Sequence, residues 1–326
     1  MSVDRILLVS LDNLGDLVFA SALAPPLRER YPGASIDIWC KEYTSDIARL
    51  VPGVRDVIGS DPFWDRAPGR AKGTVLPFVR AVREVRAHRY DLAVLAAAPW
   101  RTAAAVALTG IPRRIGLERH RNRFFLTEVV PDEDARKPVL GELARLLSPL
   151  GMSPLNLQYR LDPTPLRSRR ERLAARLPAP FVALHPFASK RNRCVPLSIW
   201  VELAQCLAAR GLGTLWIGSG PELEELRQNV APETWRFVDR DSDGSLADSA
   251  AALSLASLFV GHDSGPLHIA GAFGIPVVGI FAPGEPQRTF PQGVGPSRML
   301  ARPSPDGVST GDILGEIDAL GVERDA

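Results

Sequence analysis

Apolar residues in this chain come as short unbroken runs separated by stretches of helical period. Ile6-Leu7-Leu8-Val9 has the length and character of a strand buried on both faces, and the Leu17, Phe19, Ala20, Leu23 and Leu27 that follow fall on a helix face. Further strands are expected at Ser35–Cys40, Val57–Ile58 and Asp91–Ala96, with helices over Leu17–Arg30 and Val75–His88. The residues between, Asp12 to Asp16, then form the connection after the first strand. The second half restarts the alternation: strand "FVALHP", helix "SIWVELAQCLAARG" closed by Gly211, strand "GTLWIGS", helix "PELEELRQNV", strand "SLFVGH", helix "PLHIAGAFG" and strand "PVVGIFAP". Such alternation predicts parallel sheets covered by helices. Between the halves, Pro163, Pro165, Pro178 and Pro180 flank a short charged helix and place a boundary near residue 165. The expectation is two doubly wound α/β domains, residues 1–165 and 166–326, and a length of 326 residues suits two.

Composition narrows the classes. The apolar runs are too short, or too interrupted by Gly and Pro, for a membrane span, and "MSVDRILLVS" enters a strand without the apolar core of a signal peptide, so a cytoplasmic location is expected. Cys40, Cys194 and Cys206 form no CxxC pair and predict neither a disulfide framework nor a zinc site. The formal net charge is +2, but Arg66 to Arg123 holds thirteen Lys and Arg against three acids. Arg80, Arg83, Arg86 and Arg89 recur at helical spacing and read as a solvated face, whereas "IPRRIGLERHRNRFF" packs its arginines into a loop-like stretch suited to an anionic ligand. With basic residues confined to one region, nucleic-acid binding is not expected.

In doubly wound sheets ligands bind beyond the carboxyl ends of the strands, so the loops after strands carry the candidate chemistry. In "GHDSGPLH", Asp263 and Ser264 can cap a helix, Gly265 lets backbone approach a ligand, and Pro266 suits the first turn. The N–H groups of that turn can hold a phosphate, and His268 can point to the same place. "HPFASKRNR" offers Ser189, Lys190, Arg191 and Arg193 as a second anion site. "GSGPE" lacks GxGxxG, which disfavours a dinucleotide cofactor; its Glu222 suits either ribose hydroxyls or the dipole of a helix start. In "LDNLGD", Asp16 is the candidate general base, with Gly15 permitting a sharp turn and Asp12 shaping the loop.

These segments, in this order, resemble glycosyltransferase family 9, the ADP-heptose:lipopolysaccharide heptosyltransferases. "ILLVSLDNLGDLVFASALAPPLRERYPGASIDIWC" is similar to the family's opening, and "RYDLAVLAAAPWRTAAAVALTGIPRRIGL" to its mid-domain segment. "VALHPFASKRNRCVPLSIWVELAQCLAARG" is similar to the start of its second domain, and "GHDSGPLH" to its D-[ST]-G-P-x-H donor motif. The resemblance implies a GT-B fold of two Rossmann-like domains facing across a cleft, the acceptor on the first and the nucleotide sugar on the second. The last helix could pack back on the first domain.

The resemblance further implies an inverting transfer of heptose from ADP-heptose without metal or cofactor. Asp16 would be the base, and Ser189, Lys190, Arg193, Glu222, Asp263, Ser264, Gly265 and His268 would serve the donor. Asn13, Arg113, Arg114, Arg119, Arg121 and Arg123 would meet an anionic sugar or small-molecule acceptor such as the lipopolysaccharide core. Contact with the inner membrane face would be peripheral at most.

The chain departs from the family at Arg193-Cys194-Val195-Pro196, where a lysine and an aromatic are usual, and at Phe187, where glycine is common. Those departures keep two rivals open: a related enzyme using another nucleotide sugar for a small-molecule or secondary-metabolite acceptor, and a sugar-nucleotide-binding protein without catalysis.

Overall fold

A computed structural model describes residues 2–65, 72–132, 138–152, 156–177, 179–230, 236–237, 245–284 and 286–321. Pro178 and the opening of the basic run, residues 66–71, lie outside the described residues. The chain divides into two units between Tyr159 and Arg160, where the proline pattern had pointed near 165.

The first unit is a parallel sheet of β1 (Arg5–Ser10), β2 (Ser35–Cys40), β3 (Val54–Gly59), β4 (Leu92–Leu95), β5 (Arg113–Leu117) and β6 (Glu128–Val130), in the order β3-β2-β1-β4-β5-β6. β1 runs in register with β2 from Arg5↔Ser35 to Ser10↔Cys40, and with β4 from Ile6↔Leu92 to Val9↔Leu95. Strand order reverses between β1 and β4, and the loops that follow these two strands therefore flank a crevice at the sheet's carboxyl edge. Ile6, Leu7, Leu8 and Val9 are fully buried, as a central strand covered on both faces requires. One covering layer packs Phe78 of helix Val75–His88 against Trp39 at a ring distance of 5.6 Å, with Val85, Tyr90 and Val106 in the same core. Arg80, Arg83, Arg86 and Arg89 are all exposed, the solvated face their spacing predicted.

The single helix expected over Leu17–Arg30 is two, Leu14–Ser21 and Ala24–Arg30. Pro25 and Pro26 carry no N–H to donate back into a preceding turn, so the chain breaks and a second helix starts with proline in its first turn. The first helix also begins a turn earlier than its apolar period, which puts Asp16 inside it rather than in the connection. "IPRRIGL" is another correction: Arg113 and Arg114 open β5 itself and are not in a loop.

The second unit repeats the plan with β7 (Phe181–His185), β8 (Gly213–Trp216), β9 (Arg236–Phe237), β10 (Leu258–His262), β11 (Val277–Phe281) and β12 (Ser297–Ala301), ordered β12-β11-β10-β7-β8-β9. All pairs are parallel, and the order reverses between β10 and β7, with Gly261 opposite His185. Helix Leu197–Ala209 buries Trp200, Leu203 and Leu207 against this sheet; Gly211, at φ +80°, ends it in the left-handed conformation that glycine adopts freely. The final helix, Thr310–Ala319, sets Ile313 and Ile317 into the same core, while Thr310 donates to a Glu202 carboxylate oxygen at 2.7 Å. Its apolar face is thus used within the second unit.

Candidate active site

At the carboxyl edge of the first sheet, the loops after β1 and β2 meet. Asn13 is the backbone N-cap of helix Leu14–Ser21, but its side chain does not cap. The Leu14 N–H donates instead to the Tyr43 hydroxyl at 3.0 Å, and the Asn13 N–H donates to Asp12 Oδ1 at 2.8 Å. The Asn13 side-chain oxygen accepts from Lys41 Nζ at 3.4 Å. Lys41 is 2% exposed and pairs with Asp65 at 2.7 Å, as a buried ammonium must. Asp16 occupies the first turn one helical step from Asn13. Removal from bulk water and the neighbouring Asp12 push its carboxyl from 3.8 up to about 7, against the Asn13 N–H and Lys41, which favour the charged form. Water still reaches Asp16. Asp16 is exposed, so the elevation is that of a crowded carboxyl beside a second one, not of a carboxyl sealed in a core. The Asp16 carboxyl therefore changes protonation state near neutral pH, and its ionised form is the one that can accept a proton.

Few of the sequence-assigned acceptor arginines are available. Arg113 forks onto Glu128 at 2.8 and 3.0 Å, and Arg114 spends its guanidinium on the carbonyls of Phe125 and Ile111. Both sit at the start of β5, the sheet edge opposite the ligand-binding loops. Both guanidiniums are thus engaged by groups of the first unit itself. Arg119, beyond the carboxyl end of β5, is held by Asp132 and by the buried Glu142. Arg123 stands 3.9 Å from Glu118, and Arg121 is exposed with no carboxylate partner among the described residues. Of the five arginines, Arg121 and Arg123 are the exposed ones.

In the second unit the loops after β7 and β10 flank the reversal of strand order. After β7 the chain makes a single helical turn, Arg191–Arg193, with Ser189 and Lys190 exposed before it. Arg191 is taken by Glu225 at 2.6 Å, while the half-buried Arg193 has no carboxylate partner among the described residues. Phe187, which stands where glycine is common in the family, is buried and lines a cavity of about 210 Å³ together with Arg191, Cys194, Val195 and Glu225.

After β10, helix Gly265–Ala272 begins at Ser264, whose hydroxyl donates to the His262 carbonyl and leaves the helix uncapped. Neither Asp263 nor Ser264 caps by its side chain, contrary to the sequence reading. The Asp263 carboxylate accepts from Thr289 at 3.0 Å and lies 3.6 Å from Nε2 of the buried His268. An uncapped N-terminus with Gly265 in its first turn and an imidazole behind it has the chemistry of a phosphate site. Glu222 closes a capping box with Ser219 at the start of helix Gly220–Asn229, accepting the Ser219 N–H at 2.5 Å. One of its two readings, the helix-start acid, is therefore realised.

Sequence reasoning passed over Lys41, Tyr43, His185, His262 and Thr289. His185 and His262 end β7 and β10, and Lys41 follows the last residue of β2. The rule that directed attention to the carboxyl edge would have reached all three had it been applied to the strand ends themselves.

A family model described as glycosyltransferase family 9 (heptosyltransferase) matches residues 78–302. Lipopolysaccharide heptosyltransferase 3 of Escherichia coli is 25% identical over 279 residues, 82% of this chain and 80% of its own. Lipopolysaccharide heptosyltransferase 2 of Escherichia coli K12 is 22% identical over 315 residues, 88% and 85% of the two chains. Among solved structures, the E. coli ADP-heptose lipopolysaccharide heptosyltransferase II superposes with a TM-score of 0.80 at 21% identity, covering 99% of this chain and 100% of that one. E. coli heptosyltransferase WaaC with ADP-2-deoxy-2-fluoro heptose gives 0.76 at 18% identity, over 97% and 99%. The two Rossmann-like units are those of the GT-B fold.

Proposed function

Since the chain belongs to glycosyltransferase family 9, we propose that it transfers a heptose from ADP-heptose, with inversion, to a hydroxyl of an anionic sugar acceptor such as the lipopolysaccharide core. The observation that carries this reading is Asp16 beside Asp12 of the loop after β1, at the switch point of the first sheet, where a pKa raised to about 7 gives its ionised form the basicity to take a hydroxyl proton near neutral pH. Asp16 takes the proton of the acceptor hydroxyl. The acceptor oxygen then bonds to the anomeric carbon from the face opposite the diphosphate, and the bond from that carbon to the diphosphate oxygen breaks, releasing ADP. Arg193, the first-turn N–H groups of helix Gly265–Ala272 and His268 would take up the charge that develops on the diphosphate. With those groups in that role the reading calls for no divalent metal. Arg121 and Arg123 would meet the acceptor's negative charge.

One observation favours a second donor. The usual lysine and aromatic are Arg193 and Val195, and Phe187 fills space beside them, so the same chemistry could serve a different nucleotide sugar. Calorimetric titration with ADP, UDP, GDP and ADP-heptose, with and without EDTA, tests both. Tightest binding of ADP-heptose, unchanged by EDTA, is the expected result. A preference for UDP or GDP would transfer the reading to that donor, and no nucleotide binding at all would remove it.

A further inference from the structure

His262 closes β10 and is 1% exposed. Its Nε2 accepts the Val195 N–H at 3.1 Å, which joins the end of β10 to the end of the loop that follows β7. An imidazole accepting on Nε2 carries its proton on Nδ1. That Nδ1 makes no hydrogen bond of normal geometry among the described residues; the group on its side is the Ile280 carbonyl, which also accepts the Asp263 N–H at 3.2 Å and favours the Nδ1 proton. The remaining described surroundings hold the ring in place. Trp200 packs edge-on at 5.4 Å from helix Leu197–Ala209, and His185 stands on the adjacent strand with its Nδ1 at 2.9 Å from the Ile217 carbonyl. Asp263, next in the chain, is engaged by Thr289 and His268.

A buried polar atom without a partner costs stability, and an apolar side chain would fill the same space without that cost. What the imidazole supplies that an apolar residue cannot is the acceptor for Val195. The bond works only while the ring is neutral, and burial together with His185 pushes the His262 pKa down to about 4. Between His185 and Val195 lie Ser189, Lys190 and Arg193. The loop is thus fastened at one end by the strand it leaves and at the other by His262.

We propose that His262 is a positioning residue, whose neutral, Nδ1-protonated ring holds the 186–195 loop in the shape that presents Arg193 to the phosphates of the nucleotide. The proposal rests on the reading of this loop as part of the donor site. Its test separates the two.

Nitrogen-correlated NMR of the wild-type ring at neutral pH is expected to give the Nδ1–H tautomer; an Nε2–H tautomer or an imidazolium would overturn the proposal. His262→Leu removes the acceptor, whereas His262→Gln places an amide oxygen near the position of Nε2. Faster hydrogen exchange at the Val195 amide and roughly tenfold weaker ADP binding are expected for His262→Leu, both restored within about threefold by His262→Gln. Unchanged Val195 exchange in His262→Leu would overturn the anchor. Faster exchange with unchanged ADP affinity would overturn the positioning role, and Arg193→Ala then locates the error. If that variant also keeps its ADP affinity, the donor reading of the loop has failed; if it loses affinity, the loop reading stands and His262 alone is dismissed. Should His262→Leu not fold, the tautomer and the His262→Gln titration still decide.

Discussion

A carboxyl that shares its surroundings with a second carboxyl ionises only where something meets the repulsion and the lost hydration. At Asp16 the Asn13 N–H and the buried Lys41 do so in part, and its pKa stays raised from 3.8 to about 7. Between those values the folded protein holds a proton that the unfolded chain has released. Stabilisation from that proton is complete below pH 3.8 and is lost as pH rises through about 7. Two consequences follow for Asp16→Asn. Turnover is expected to fall by roughly 10²–10⁴, the usual contribution of a general base. The melting temperature relative to wild type should rise more at about pH 8 than at about pH 4, because the amide never acquires the charge. Thermal melts at both values check this; an equal change at the two would mean that the Asp16 carboxyl titrates as an ordinary one. Wild-type kcat/KM should fall on the acid side with an apparent pKa near 7. Lys41→Met should move that limb to higher pH, by removing a cation that favours the ionised form, and Lys41→Arg should leave it nearly in place.

Helix starts decide how several candidate residues are used. In helix Gly220–Asn229 the Ser219–Glu222 capping box satisfies N–H groups that the first turn leaves open. Ser219→Ala is expected to lower stability by about 1 kcal/mol with ADP affinity unchanged. Glu222→Gln keeps the box, since glutamine serves at that position, and isolates any contact with ribose. Its stability should remain within about 0.5 kcal/mol of wild type while ADP affinity falls severalfold. Denaturant melts and titrations on the same samples check both, and an unchanged affinity would reduce Glu222 to a cap. Elements like this one were legible in the chain because "GSGPE" places Ser, Pro and Glu at cap spacing. β1 and β7 were legible because strands buried on both faces read as continuous apolar runs. β5 was not, since its first two residues are Arg113 and Arg114, whose partners include Glu128 and the Phe125 carbonyl, fifteen and eleven residues on. A cluster of like charges shows what a segment contains but not which groups already neutralise it. The start of helix Leu14–Ser21 was hidden for a simpler reason: its first turn holds Gly15 and Asp16 and carries no apolar period.

Each unit is a sheet with its own reversal of strand order, so the molecule has two candidate crevices with opposite electrostatic character. The first presents a carboxyl pair that repels a diphosphate. The second presents a half-buried guanidinium without a carboxylate partner among the described residues, an uncapped helix N-terminus and a buried imidazole. On the proposed reading the nucleotide diphosphate binds in the second, and single substitutions in the full chain test that division. Arg193→Ala removes a cation from the anion site and is expected to weaken ADP binding by roughly 10–100-fold, the range of a hydrogen bond to a charged group. Asp16→Asn touches only the first crevice and should leave ADP affinity within about twofold of wild type even as turnover is lost. Calorimetry on both variants, with kcat and KM measured for Asp16→Asn, reads the two effects separately. The opposite pattern, with ADP affinity sensitive to Asp16 and indifferent to Arg193, would put the nucleotide in the first unit. Asp16 could not then be the base, because a carboxylate cannot both hold the leaving group's nucleotide and take the proton from the acceptor arriving on the other side of the reacting carbon.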